Sequence, residues 1–177
     1  MSRPDFVHLH VHSEYSLLDG ANRISDLVKA CQDDGQGAIA LTDHGNMFGA
    51  IELHLKCKKG GIKPLIGCEV YIAKHSRHQP HSRRDNRYHH LTLLARNVEG
   101  HDNLIKLATL AYTEGYHYRP RIDKELLEQH GGGINCLSGC LGGEINQLYL
   151  AGKHQEAEQV AGELRDIFGP EHFWLEL

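Results

Sequence analysis

Fifteen of the 177 residues are histidine, and several stand where they could do chemistry, since a neutral imidazole is the commonest metal ligand. His8, His10 and His12 alternate with Val7, Leu9 and Val11. A strand over residues 6–12 would carry three imidazoles on one face, neighbours lying roughly 6.6 Å apart. Two neighbours can then close on one ion, while the third reaches a second ion or supports a ligand from behind. A core face would be apolar instead.

The same residue types recur at the ends of other apolar runs. Asp43 and His44 sit in the turn Thr42-Asp43-His44-Gly45; taken alone, Asp43 also reads as a cap for the following helix. Glu69 lies inside Leu65-Ile66-Gly67-Cys68-Glu69-Val70-Tyr71-Ile72. A carboxylate there is costly unless it is paired, binds a metal, or faces water from an edge strand. His89 and His90 open the run Leu91-Thr92-Leu93-Leu94, one of them facing solvent. Cys140, in Ser138-Gly139-Cys140-Leu141-Gly142-Gly143, is either a soft thiolate donor or an inert turn thiol.

Imidazoles, carboxylates and one thiolate make a set suited to zinc or manganese. Ions about 3.5–4 Å apart generate a hydroxide and stabilise both attacking and leaving oxygens in phosphoryl chemistry. Taken by themselves, these residues read as a metal-dependent hydrolase. An anionic substrate fits one further segment. Lys74, Arg77, Arg83, Arg84 and Arg87 face a single acid, Asp85, with His75, His78 and His81 among them. This is a solvated loop or a phosphate-steering rim, to which Arg119 and Arg121 add. The formal net charge of −4 makes any nucleic-acid contact local.

The elements that must position these groups alternate. Helices are expected over residues 24–33, 47–59, 103–112, 124–129, 144–149 and 155–168. Strands are expected over 6–12, 38–42, 64–73, 90–95, 133–138 and 172–177. Alternation predicts a parallel sheet or barrel whose strand ends gather the active groups. Ending on a strand with no covering helix, the domain reads as unfinished. The length suits one domain over residues 1–177, and 40% apolar with 24% charged residues suits a globular chain. No apolar run reaches 18 residues, and no secretory signal is visible. Five cysteines without a CxxC pair suit reduced thiols and a cytoplasmic location.

The motifs His10-Val11-His12-Ser13, Thr42-Asp43-His44-Gly45, Glu69, His90-Leu91 and Ser138-Gly139-Cys140-Leu141-Gly142 resemble those of polymerase and histidinol phosphatase (PHP) domains. More narrowly, Tyr15-Ser16-Leu17-Leu18-Asp19-Gly20, Asp43-His44-Gly45-Asn46-Met47-Phe48-Gly49-Ala50, Gly61-Ile62-Lys63-Pro64-Leu65-Ile66-Gly67 and Arg119-Pro120-Arg121-Ile122-Asp123 are similar to the version at the N-terminus of bacterial DNA polymerase III alpha subunits. The resemblance covers essentially the whole chain. It implies an α/β fold, a distorted (β/α)7 barrel of PHP type, present as an incomplete N-terminal fragment with about six of the strands. It also implies a cluster of up to three divalent ions, zinc and/or manganese, held by His10, His12, Asp19, His44, Glu69, His90 and Cys140. Within that set His12, His44 and Glu69 would be catalytic. His8, Asp43 and His89 would orient ligands or face solvent, and Arg83, Arg84, Arg87, Arg119 and Arg121 would meet phosphate or DNA.

The implied activity is metal-dependent phosphodiester hydrolysis, most plainly 3′–5′ exonucleolytic proofreading, with nucleotide polymerisation belonging to a downstream domain. The alternative is a catalytically silent scaffold that stabilises the polymerase and docks a proofreading subunit. Implied partners are DNA, polymerase domains of the same polypeptide, a proofreading exonuclease subunit and other replisome subunits. A free-standing small-molecule phosphatase would leave the polymerase-type segments unexplained.

Overall fold

The expected helices form where their apolar spacing places them, and the strands they cover supply the floor of the candidate site. In the computed structural model, residues 6–79 and 88–176 are described. Helix α1 (Ile24–Asp33) buries Ile24, Val28 and Cys31 on one stripe, the i, i+4, i+7 pattern of an amphipathic helix. It leads to strand β1 (Ala38–Leu41) and helix α2 (Ala50–Gly60). Gly61 ends α2 at φ 69°, the left-handed conformation that closes a helix. Strands β2 (Lys63–Ala73) and β3 (Tyr88–Ala95) follow, then helix α3 (Val98–Thr113), capped by the Asn97 side chain accepting from Gly100 N. A two-residue strand β4 (Arg121–Ile122) precedes helix α4 (Lys124–His130), capped by Asp123 accepting from Leu126 N. Strand β5 (Ile134–Leu137), helices α5 (Glu144–Leu150) and α6 (His154–Phe168), and strand β6 (Phe173–Trp174) complete the order.

The six strands of the described residues form one sheet in the order β1-β2-β3-β5-β6, with β4 paired to β2. Among the described residues a small apolar cluster of Ala40, Leu94 and Leu137 lies on the strands themselves, and two larger clusters join helices to the sheet. One joins β2, β3 and β5 to α3, α4 and α6 through residues such as Leu93, Leu107, Leu126, Ile134 and Leu164. The other seats α1 and α2 on β1 through Ile24, Val28, Ile39, Leu53 and Cys57.

Three expectations are corrected. The sheet is mixed rather than parallel: β3 runs antiparallel to both β2 and β5, while β1–β2, β2–β4 and β5–β6 are parallel. No helix separates β2 from β3 among the described residues, and a parallel return needs such a crossover. Second, residues 6–12 are not a ladder strand. Ala40 N donates to His8 O and Thr42 N to Val11 O, so two steps on β1 face three on the histidine segment. Val11 N turns instead to the Thr42 Oγ1 hydroxyl, which interrupts backbone pairing and inserts an extra residue, as at a bulge. Third, the last strand is shorter than residues 172–177, while β4 falls where no strand is expected.

Candidate metal centre

Glu69 is the centre around which the site is built. It lies on β2, is 1% exposed, and four imidazoles surround its carboxylate. Its Oε2 atom lies 3.2 Å from His10 Nε2, 3.0 Å from His12 Nε2 and 3.0 Å from His44 Nδ1. Oε1 lies 2.6 Å from His90 Nδ1. The elements explain the convergence. The β1–β2 register carries on three residues past the end of β1, in an isolated bridge between His44 and Glu69, with Gly45 N donating to Glu69 O and Glu69 N to Asp43 O. This sets His44 beside Glu69. Gly45 itself has φ +62°, and a Cβ there would meet Pro120 Cγ at 2.8 Å, so the turn after His44 requires glycine. On the other side, Tyr71 pairs with His90 across β2 and β3, and His90 N donates to Gly142 O.

The extra residue in the histidine segment decides which imidazoles enter. His10 and His12 turn to Glu69, whereas His8 is exposed and packs edge-on against Phe6. Three histidines on one face are therefore two at the site and one outside it. Asp43 is buried and caps no helix. Its Oδ1 accepts from Ser13 N and Ser16 Oγ, and its Oδ2 accepts from Ser13 Oγ, each at 2.7 Å. Ser16 Oγ also accepts from His44 N at 3.1 Å and lies 3.3 Å from His12 Nδ1. Asp43 thus anchors the segment carrying Asp19, whose Oδ2 meets His44 Nε2 at 2.8 Å. That contact is on the imidazole nitrogen facing away from Glu69.

These groups polarise one another strongly. Burial opposes the charged form of His10, yet the nearby carboxylates of Glu176 and Glu69 push its imidazole up to about 10. His44 is likewise raised against the effect of burial, by Glu69 and then Asp19. Burial raises Glu69, but the four histidines overcome it and hold the carboxyl well below the usual range.

Orphaned polar atoms test whether a metal fits. His10 Nε2, His44 Nδ1 and Glu69 Oε2 are buried without a hydrogen-bond partner, although they lie within 3.2 Å of one another's carboxylate or ring. Buried polar groups are nearly always paired. Three orphans aimed at one point are what a shared cation would satisfy. Two groups of donors have atoms within 4.8 Å of one another: His10, His12 and Glu69, and His44, Glu69 and His90. They share Glu69, so filling both would make it a common ligand.

Other expected residues fall elsewhere. Cys140 is exposed and lies outside both converging groups; its Sγ accepts from Gly142 N at 3.5 Å. Gly139, at φ +80°, lets this loop pass so close that a Cβ would lie 2.6 Å from His90 O. His89 is lowered by burial and lines an opening with Lys124 and Glu144. Arg83, Arg84 and Arg87 lie outside the described residues. Arg119 lies over the Tyr71 ring at 5.7 Å. Arg121 is buried and donates to the carbonyls of Gly115 and Arg77, which removes it from a phosphate rim. Arg77 is removed for the same reason, held by Asp123, Glu114 and Glu125.

One functional candidate escapes the sequence reading. Glu176 Oε1 lies 2.6 Å from His10 Nδ1, and its backbone N donates to Ser138 Oγ. The signal was the one that singles out Glu69: a carboxylate inside an apolar run, here Phe173-Trp174-Leu175-Glu176.

The sequence model of the PHP domain matches residues 8–177. Among curated proteins, the chain is 49% identical over 178 aligned residues to the DNA polymerase III subunit alpha of Treponema pallidum, covering 100% of this chain and 15% of that one. It is 44% identical to the DNA polymerase III subunit alpha of Thermus aquaticus, covering 99% of this chain and 15% of that one. The chain thus spans about 15% of the length of the curated relatives it matches. Among solved structures, it is similar to a two-domain protein from Bacteroides vulgatus containing a predicted PHP-like metal-dependent phosphoesterase. That similarity has a TM-score of 0.48 at 16% identity, covering 89% of this chain and 48% of that one.

Proposed function

Because the chain belongs to the PHP domain family, we propose that it is the metal-binding, phosphodiester-hydrolysing domain of a DNA polymerase III alpha subunit, acting as a 3′–5′ exonuclease. In this reading residues 1–177 are part of one domain, and nucleotide addition resides in other domains of the same polypeptide. Three orphaned buried atoms, on His10, His44 and Glu69, carry the metal reading.

His10, His12 and Glu69 would hold one divalent ion, and His44, Glu69 and His90 a second. Zinc or manganese suits these donors. When bound, such ions supply an activated water and neutralise charge on a phosphodiester. The chain's own residues do the rest. Glu176 accepts the Nδ1 proton of His10, which presents Nε2 to the site. Asp19 does the same at Nε2 of His44, leaving Nδ1 towards Glu69. Asp43 fixes Ser13 and Ser16, and through them the main chain of His44. Arg119, beside Tyr71, meets the substrate phosphate. His12, His44 and Glu69 are the residues closest to the chemistry. DNA and the polymerase body are the partners this reading requires.

Replacement of His12 by alanine tests it. A contaminant-free preparation should release nucleotides from the 3′ end of a labelled DNA strand only with divalent metal, and His12→Ala should abolish this. Equal release by wild type and variant contradicts the enzymatic reading. Metal that raises thermal stability with no release by either protein supports the scaffold alternative.

A further inference from the structure

The metal centre opens into a cleft whose walls are far richer in aromatic rings than ion binding requires. Tyr71 stacks on His44 with centroids 5.8 Å apart, and Tyr88 stacks on His90 at 5.9 Å. Tyr71 and Tyr88 meet edge to face at 4.8 Å. Arg119 lies over Tyr71 and is hydrogen bonded to Tyr88. Tyr112 and Tyr116, which line the same cleft, form a near-parallel pair, centroids 6.0 Å apart and planes 21° apart. Both are exposed, at 45% and 60%. Asp19, His44 and His90 line the same cleft, which has a volume of about 340 Å³.

Two features argue that this wall receives a ligand. Tyr118 adopts φ 59°, a left-handed conformation unusual for an aromatic residue and concentrated at functional sites. The tight turn around it, with His117 N donating to Arg119 O, places Arg119 back over the metal side of the cleft. Leu17 and Leu18 also line the cleft while 89% and 78% exposed. Large apolar side chains held in water beside a polar centre mark an interaction site. Exposed rings beside one guanidinium and a metal-ligand cluster match the chemistry of a nucleotide: a base with two π-faces and an adjacent phosphate.

We propose that this cleft is a subsite for one unpaired nucleotide at the end of a DNA single strand, its base stacking on Tyr116 and Tyr112 and its phosphate meeting Arg119. The assignment rests on the phosphodiesterase reading for the identity of the substrate. It adds a basis for selectivity. A base still paired and stacked within a duplex offers no free face to Tyr116, so frayed or mismatched ends are preferred over flush ones. Leu17 and Leu18, exposed in the same cleft, would separate the splayed nucleotide from its neighbour.

Fluorescence anisotropy with the 177-residue chain tests this in Mn²⁺, using a 5′-labelled single strand made uncleavable by phosphorothioate linkages. The wild type should bind it about tenfold more tightly than the same strand lacking its 3′-terminal base, the scale of one base–aromatic stack. A blunt duplex should bind as weakly as the abasic strand. Tyr116→Leu should bind base-bearing and abasic strands alike, whereas Tyr116→Phe should keep the preference. Equal wild-type affinity for the two strands, or an undiminished preference in Tyr116→Leu, overturns the subsite. Cleavage of an unmodified strand is read separately. Discrimination without cleavage by any metal removes the phosphodiesterase reading and leaves the subsite, while cleavage without discrimination removes the subsite alone.

Discussion

Glu176 Oε1 lies 2.6 Å from Nδ1 of His10, and this contact leaves Nε2 of His10 as a buried atom with no hydrogen-bond partner. Carboxylates on the outer nitrogen of a ligating histidine fix the tautomer and ring orientation, and their loss typically costs 10–100-fold in metal affinity. Glu176→Gln should therefore weaken zinc binding by about tenfold or more, read by competition with a chromogenic chelator. Glu176→Asp, which keeps the charge but shortens the reach, should fall between wild type and the glutamine variant. Unchanged affinity in Glu176→Gln would show that His10 is oriented by other contacts.

Cys140 gives a separate test of the ligand set. Of the five free cysteines, Cys31, Cys57, Cys68 and Cys136 are buried and Cys140 is exposed. Burial also pushes the thiols of Cys57 and Cys68 up to about 11 and about 12, which suppresses the reactive thiolate further. A thiol reagent at neutral pH should modify one cysteine rapidly and the other four only on unfolding, with Cys140→Ser removing the fast phase. Loading with zinc should leave that fast phase unchanged if Cys140 stays outside the cluster, as its position here indicates. Protection by zinc would place its Sγ among the ligands, as the family resemblance implies.

The ion pairs that tie α4 to α5 and α6 make a pH prediction. Lys124 Nζ lies 2.6 Å from Glu163 and 3.4 Å from Glu144. Its hydrogen bond holds the Glu163 carboxyl below its usual value of 4.5. A carboxyl depressed by folding contributes stability above its unfolded pKa and loses it as pH falls through the folded value. Lys124 itself is raised above 10.5 by the same bond, against burial, so its contribution is lost only at strongly alkaline pH. Lys124→Met should cost at most about 1 kcal/mol at pH 7, because the pair is partly exposed. That is roughly 2–4 °C in Tm. The difference from wild type should shrink towards zero as the pH falls through the acid range, and a constant difference between pH 7 and pH 3 contradicts the assignment.

Much of the site was legible because its residues violate the pattern around them. Glu69 interrupts an apolar strand, and His44 ends one; both deviations cost stability unless something repays them, which is why they point to a ligand. Helices were legible for the opposite reason: α1 has its expected residue range because Ile24, Val28 and Cys31 keep helical spacing without exception. What was hidden depends on partners distant in the chain. Arg77 reads as part of a basic loop until Asp123 and Glu114 are seen beside it. The displacement of His8 from the site follows from a hydroxyl, Thr42 Oγ1, taking the place of a backbone acceptor, and no spacing rule encodes that. The antiparallel course of β3 left a fainter trace, since the stretch between β2 and β3 lacks the apolar periodicity of a crossover helix.

Metal content is the most direct test of the account, because everything proposed for the site depends on Glu69 joining two sets of histidines. The chain and its Glu69→Gln variant should be loaded with zinc or with manganese, dialysed, and measured by mass spectrometry of the elements. The wild type should retain up to two ions per chain, one for each donor group, and Glu69→Gln should retain fewer than one while remaining folded. A wild type that holds no metal, or a Glu69→Gln variant that holds as much as wild type, would contradict the shared carboxylate as the centre of the site.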